Sequence, residues 1–321
     1  MRTILFLIWI LCVTILRAQV VTTFPSLSIH ASSRGMGMGD AGIASAEGAQ
    51  QLLYNPAKSA FTQYFHQVSV GYMPWLTGIS PDTRMMNVGY VASVNTAAFG
   101  VSLNYLNLGS IDTRDDNGAT LSSYTAREYN VGGSFALQLN EHHALSTTLR
   151  FLAQNAYEPN PVNRYSVSGD VGYYGFTQIG ESASRLEWGA TVSHLGSKKN
   201  NLPATAALGV AYKQQMEFHS VQVSVDAARL LKDNFSGMRY TAGVEYGYVD
   251  QFFLRGGASI EKATAGNRKY FSFGAGYRGF VDDQGWQIDL HYLVPFGASG
   301  GLSPYQGSWG LTIGFNLGNF Q

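Results

Sequence analysis

From about residue 64 to the C-terminus, apolar and polar side chains alternate in short runs, and turn signals separate one run from the next. In Trp286 to Val294 the apolar set is Trp286, Ile288, Leu290 and Tyr292, interleaved with Gln287, Asp289 and His291. Leu311, Ile313, Phe315 and Leu317 alternate with Thr312, Gly314 and Asn316, and Val221, Val223 and Val225 with Gln222, Ser224 and Asp226. Ala242, Val244, Tyr246 and Tyr248 do the same with Gly243, Glu245 and Gly247. A period of two places successive side chains on opposite faces of a strand. In a soluble sheet the inward face is apolar, and carboxylates there are costly. A transmembrane β-barrel inverts that demand, turning its apolar face to lipid and its polar face to the lumen.

The runs predict about fourteen strands, an even number as in bacterial barrels. They centre near Val70, Val88, Leu103, Gly132, Thr148, Gly172 and Ala190, then Leu208, Val223, Val244, Gly256, Gly274, Leu290 and Ile313. Connections after the second, fourth, eighth and tenth are tight: Asn95 to Ala97, Asn140 to His142, Gln215 to Phe218, and the point near Asp250. Those after the first, third, fifth and thirteenth are longer: Met73 to Thr83, Leu108 to Ser123, Asn155 to Arg164, and Pro295 to Gly307. Short turns belong to the periplasm and longer loops to the outside, so both termini are expected in the periplasm. The fold expected is all-β: an antiparallel transmembrane β-barrel occupying 65–321.

Two stretches precede the barrel. Arg2, the apolar run Ile4 to Leu16, and Leu16-Arg17-Ala18 read as a secretory signal peptide over 1–18, cut near Ala18 or Gln19. Cys12 is the one cysteine and lies inside that peptide, after Leu11 rather than the small residue of a lipoprotein signal. The mature chain is then expected to have no disulfide and no cysteine metal site. Residues 19–64 fall outside the strand rhythm. They hold Ser32-Ser33-Arg34-Gly35-Met36-Gly37-Met38-Gly39-Asp40-Ala41-Gly42, a short helix expected over Ala44 to Leu53, and Asn55-Pro56-Ala57-Lys58. Gly37, Gly39 and Gly42 match a dinucleotide-binding spacing, but no strand precedes them and no βαβ unit follows. Small residues that let the segment pack tightly inside the barrel as a hatch explain the pattern better, with Gly37, Gly39, Asp40, Asn55 and Pro56 as its packing residues.

Composition agrees. Charged residues make up 13% of the chain, and mean hydropathy is −0.05, too few charges for an ordinary soluble domain and too little apolar content for membrane helices. Beyond the N-terminus no apolar run approaches the roughly 18 residues that a spanning helix needs. Without Arg2 and Arg17, 19 basic groups face 21 acidic ones, which recommends no nucleic acid partner.

The Gly-rich stretch followed by Asn55-Pro56-Ala57 resembles the hatch of the FadL-like outer-membrane barrels, a superfamily of fourteen-stranded proteins with a plugged lumen. Within it the chain resembles the PorV/PorQ family of the type IX secretion system of Bacteroidetes, and PorV most. The added specificity lies in Tyr72-Met73-Pro74-Trp75-Leu76, in Phe252-Phe253-Leu254-Arg255-Gly256 with Gly266-Asn267-Arg268-Lys269-Tyr270-Phe271, and in Tyr292-Leu293-Val294-Pro295. The resemblance implies a non-enzymatic outer-membrane docking or shuttle subunit without cofactors. Its implied partners are the type IX translocon barrel, the C-terminal signal domains of secreted cargo, the surface sortase or attachment complex, and lipopolysaccharide with outer-membrane lipid. The chain departs from the family in its shortness and in compact loops such as Ser197 to Leu202.

Cargo-docking candidates follow from strand ends. Pro74, Trp75 and Leu76 form an apolar hook at the outer end of the first strand, where an aromatic girdle would also place a Trp. Gly266, Asn267, Arg268 and Lys269 lie in an outer loop, with the two cations facing acidic cargo or lipopolysaccharide phosphates, or simply water. Asp170, Asp226, Glu245, Arg255, Arg278 and Asp289 point into the lumen, as charge pairs holding the hatch or, less plainly, as a proton or solute path. Catalysis is disfavoured: His142 and His143 share a turn, His291 faces the lumen, and Ser193 and His194 diverge across a strand. The competing function is a FadL-type transporter of hydrophobic small molecules. Against it stand polar, Gly-rich loops; against a plain porin stands the hatch.

Overall fold

The computed structural model describes residues 23–319 apart from 77–79, 81, 116, 119, 159, 181–183, 198–200, 232–236, 263–267, 283 and 298–304. The signal peptide expected over 1–18 therefore lies outside the described residues, as do Gly266 and Asn267. The first seven strands are β1 Tyr64–Pro74, β2 Arg84–Val94, β3 Ala97–Arg114, β4 Thr120–Gln138, β5 His143–Glu158, β6 Asn160–Ile179 and β7 Ser184–Gly196. The rest are β8 Thr205–Gln215, β9 His219–Leu230, β10 Met238–Tyr248, β11 Phe252–Glu261, β12 Lys269–Val281, β13 Gln284–Pro295 and β14 Trp309–Asn319. Each pairs antiparallel with its neighbours in sequence, and β14 closes on β1 from Tyr64↔Asn319 to Tyr72↔Leu311. Closure leaves no strand edge unpaired. Every strand centre expected from the alternation falls inside one of these fourteen strands.

The period of two explains the faces. In β10, Ala242, Val244, Tyr246 and Tyr248 are exposed on the outer surface, whereas Gly243, Glu245 and Gly247 are buried in the lumen. In β13, Ile288, Leu290, Tyr292 and Val294 point out, and Gln287, Asp289, His291 and Leu293 point in. An aqueous surface would not leave such an apolar belt uncovered; a lipid bilayer does.

Three local expectations are corrected. The loops expected over Leu108 to Ser123 and Asn155 to Arg164 are largely zipped, because β3 and β4 pair out to Arg114↔Thr120 and β5 and β6 to Glu158↔Asn160. Above the membrane both faces of a hairpin are wet, so pairing continues after the alternation has faded. The single helix expected over Ala44 to Leu53 is instead a 3₁₀ turn at Gly48–Gln50 and a helical turn at Gln51–Tyr54. Gly48 sits at φ 61°, outside helical space, and starts the helical segment four residues late. At Ser193 and His194 the β6–β7 register slips, His194 takes φ 61°, and the two side chains, expected to diverge, line one lumenal cavity.

The segment before β1 threads the lumen as a series of short turns: Pro25–Ser28, Ser33–Gly37, the two just named, and Pro56–Phe61. With so little regular structure, it satisfies few of its own backbone groups, and the barrel wall supplies the remainder.

Candidate functional site

The interface between this hatch and the barrel wall gathers most of the buried charge. Ser32 caps the Ser33–Gly37 turn by accepting from the Gly35 N–H at 3.3 Å. That turn aims Arg34 across the lumen. Its Nε and Nη2 donate to the two carboxylate oxygens of Glu245 at 3.0 and 2.8 Å, Nη2 also to Gln222 at 3.0 Å, and Nη1 to the Ser45 carbonyl at 2.6 Å. Glu245 in turn accepts from Arg255 Nε at 2.5 Å, and Arg255 Nη1 donates to Asp289 at 2.7 Å. A planar guanidinium meeting a carboxylate edge-on gives two parallel bonds, so this chain fixes the orientation of Arg34 as well as its position.

Asp40 is a second junction. It accepts from Tyr54 Oη at 2.8 Å and from Arg239 at 2.6 Å, and pairs with His30 Nδ1 at 2.9 Å. Burial alone would raise its carboxyl; the His30 and Arg239 charges outweigh that and hold it far below the usual carboxylate range. Near the opposite end Glu47 meets Arg278 at 3.1 Å, Lys213 at 3.3 Å and Arg34 at 3.6 Å. Here too burial pushes upward, and Arg34, Lys213, Arg278 and Lys58 together hold the acid well below its ordinary value. Lys58 reaches Glu187 at 2.6 Å. Backbone donors of the hatch are met by the wall: Gly42 and Ile43 donate to Asp226 at 2.7 and 2.9 Å, Gly39 to Ser272 at 2.8 Å, Ser33 to Thr312 at 2.9 Å and Ser26 to Glu128 at 3.1 Å.

The glycines let the two backbones touch. A Cβ on Gly37 would come within 3.2 Å of Gly274 Cα. Gly39, at φ 72°, lies so close to β10 and β11 that a Cβ would sit 2.5 Å from the Ala258 oxygen and 2.6 Å from the Ala242 oxygen. Asn55 caps the Pro56–Phe61 turn through the Ala57 N–H at 3.2 Å and spends its amide on the carbonyls of Ile43 at 3.3 Å and Tyr173 at 2.8 Å, with Pro56 at the first position of the turn.

The six lumenal charges thus divide. Asp226, Glu245 and Arg278 contact the hatch directly. Asp170 pairs with Arg150 at 2.9 Å, and Arg255 with Asp289, wall to wall. Arg34, Glu47, Lys58, Glu128, Glu187 and Arg239 are not singled out by the sequence, because their partners lie up to 231 residues away and no local spacing announces them.

The docking candidates are placed differently from expectation. Trp75 is buried, not an exposed hook: its ring meets Tyr305 edge-on at 4.7 Å, within an apolar cluster containing Ile29, Met36, Met73, Met85, Tyr270 and Leu293. Leu76 packs against the same cluster, and Pro74 is half-buried at the end of β1. The Trp75 N–H donates to the Thr83 carbonyl at 3.0 Å, which folds the strand end inward over the hatch. Arg268 also turns inward, donating to Glu261 at 2.6 and 2.7 Å and to the hatch carbonyl of Ser28 at 2.6 Å, so it is not a free surface cation. Lys269 begins β12 and is half-buried.

Between the hatch and the wall of β5 to β10 remains a cavity of about 80 Å³, lined by Arg150, Asp170, His194 and Arg239 as well as Leu27, Ile43 and Ala228. Small-molecule sites commonly measure about 300–1,000 Å³ and are mostly apolar. Among the described residues no group of three or more His, Cys, Asp or Glu is arranged to hold a metal ion.

A fourteen-stranded barrel, apolar outside and filled inside by an N-terminal hatch, defines an outer-membrane protein of the FadL-like fold. Solved structures share it at low identity. The toluene transporter TbuX of Ralstonia pickettii has a TM-score of 0.56 at 11% identity, over 90% of this chain and 98% of that one. The toluene transporter TodX of Pseudomonas putida gives 0.56 at 12%, over 93% and 97%. The monoaromatic hydrocarbon channel CymD gives 0.57 at 12%, over 90% and 97%. Such identities establish the fold alone. No curated protein sequence matches significantly. The family model of type IX secretion system protein PorV matches residues 15–234. The chain belongs to the PorV family of type IX secretion outer-membrane barrels.

Proposed function

We propose that this barrel is a closed docking subunit of type IX secretion, receiving secreted proteins by their C-terminal signal domains and handing them to the surface attachment machinery. The observation that carries this reading is the hatch, tied by side chains to strands on every side of the lumen and covered by the Trp75 cluster. A lumen filled in this way leaves the outer surface as the working part. Both termini then face the periplasm, with the connections 75–83, 197–204 and 296–308 outside.

With Trp75 and Arg268 turned inward, docking moves to the tall hairpins. β3 and β4 have 18 and 19 residues and β5 and β6 have 16 and 20, against 11 in each of β1 and β2. At about 3.4 Å per residue the surplus lifts these hairpins roughly 20 Å above their neighbours. Leu121 and Tyr165, 68% and 62% exposed, stand on them among polar side chains. Such a mix suits a protein partner.

The FadL-type reading, a transporter of hydrophobic small molecules, requires an apolar lumenal site; among the described residues the cavity beside β5 to β10 is small and ringed with charges, and the larger one of about 310 Å³ around Glu47 is lined by Lys58, Arg185, Glu187 and Lys213. Affinity purification of the tagged protein from its native outer membrane, with mass spectrometry of what accompanies it, tests both. Recovery of a large translocon barrel or of proteins with type IX C-terminal domains, lost when the β3–β4 hairpin is shortened, is the expected result. A barrel arriving alone with an apolar ligand would favour transport.

A further inference from the structure

On the outer surface, the wall of β6 to β9 is hollowed. Register places Tyr173, Ala190, Leu208 and Ala227 side by side in one row, and Val171, Val192, Ala206 and Arg229 in the next row toward the longer loops. Ala190, Ala206 and Ala227 are small where the surrounding belt carries Val, Leu and Tyr, and the groove they leave measures about 470 Å³. Its lining is apolar except near the top. There Arg229, the residue before the last of β9, is exposed on the lipid side and makes no ion pair among the described residues.

The groove has a structural origin. The Ser193–His194 bulge adds a residue to β7 opposite Asp170, whose carboxylate accepts the His194 N–H at 2.7 Å and is held by Arg150. A bulge bends its strand and increases local twist. The bend lies immediately above Val192 and Ala206, at the upper end of the hollow.

We propose that this groove is a seat for one acyl chain of a phosphate-bearing outer-leaflet lipid, with the phosphate on Arg229. The apolar lining matches the chain. A cation on the lipid-facing side is tolerated near the interface and is attracted there to anionic headgroups. The position of the cation, above the hollow and at its loop end, sets the polarity of the occupant: headgroup at the top, chain running down over Ala206 and Ala190. This rests on the orientation proposed above, with the longer loops outside.

Native mass spectrometry of the purified barrel, mixed with bisphosphorylated lipid A or with the same lipid stripped of phosphate, tests the seat. The wild type is expected to retain one lipid after the detergent is removed. It should favour the phosphorylated form by about fivefold, the worth of one membrane-surface cation of about 1 kcal/mol. Arg229→Gln should erase that preference, and Ala206→Trp, which fills the groove from the lipid side, should abolish retention of either form. Unaltered heat-modifiable gel mobility would certify that both variants fold. A wild type that retains no lipid or holds the two forms equally, or an Ala206→Trp barrel that binds as well as the wild type, would overturn the proposal. Neither readout involves secreted protein, so failure here would leave the docking function standing, and the converse also holds.

Discussion

Removing the Arg34 guanidinium is the sharpest probe of the hatch. Its side chain is 3% exposed and that of Glu245 is 6% exposed, so the pair is dry. Arg34→Ala would delete two bonds to Glu245, one to Gln222 and one to the Ser45 carbonyl, and would withdraw a charge held 3.6 Å from Glu47. Breaking a buried ion pair by removing one partner costs about 3–5 kcal/mol. Glu245 keeps Arg255, so its remaining charge is not stranded, and the lower half of that range applies. At 1.4 kcal/mol per factor of ten, a loss of about 3–4 kcal/mol raises the population of the unseated hatch roughly 150- to 700-fold. Hydrogen exchange of the purified barrel reads that population directly, because amides that open locally exchange in proportion to it. Protection over 32–45 should fall by about two to three orders of magnitude, while the strands, whose ladders are untouched, keep theirs. Arg34→Lys, unable to make the bidentate contact, should fall in between. Unchanged exchange over 32–45 in Arg34→Ala would refute the claim that this residue seats the hatch.

Gly39→Ala should prevent the hatch from seating, since a Cβ at φ 72° would meet backbone oxygens of β10 and β11; protease sensitivity of the segment checks it, and a resistant variant would contradict the packing. Glu47 is depressed by its basic neighbours, so its stabilising contribution is complete above the ordinary carboxylate pKa of about 4.5 and is lost as pH falls through its lower folded value. The hatch should therefore stay seated at pH 5 and loosen only well below pH 4.5, with Glu47→Gln removing that part of the acid dependence; a transition above pH 5 carried by Glu47 would reverse the sign. Val223→Arg, on the lipid face of β9, should cost about 2–4 kcal/mol in unfolding titrations if the residue lies near the midplane; a neutral result would mean the faces are swapped. Deleting 23–61 should open a conductance in planar bilayers, and a wild type that already conducts would show the lumen is not blocked.

The barrel is legible because its strands have one apolar, lipid-facing side and one polar, lumen-facing side, which writes a period of two into the sequence. That condition ends with the membrane. Ser110, Asp112 and Arg114 pair with Thr125, Ser123 and Thr120 in polar surroundings on both sides, and nothing in their order distinguishes a tall hairpin from a loop. The position of Trp75 at a strand end predicts exposure, because strand ends in a barrel usually meet the interface. Its burial depends on Tyr305, 230 residues later, a long-range contact that no local pattern encodes. The hatch contacts were hidden for the same reason. Gly39 announced close packing in general, but its partners Ala242, Ala258 and Ser272 emerge only once β10 to β12 are aligned by register.

The lumen of this barrel is built like a protein core in which charge replaces hydrocarbon, and that substitution has an energetic consequence. Apolar contacts are non-directional, so side chains of similar volume can stand in for one another at modest cost. Buried ions are not interchangeable in this way, since each misplaced partner leaves a desolvated charge worth several kcal/mol. A hatch with little regular structure has no stiff axis of its own to define its position. Arg34 on Glu245, Asp40 on Arg239, Lys58 on Glu187 and the Gly42 and Ile43 amides on Asp226 define it by four contacts along β7, β9 and β10. Sliding the segment by one residue would break all four together, so the seating is steep and close to all-or-none. A plug of that kind resists gradual opening by a solute, which is the behaviour a docking barrel needs and a diffusion channel does not.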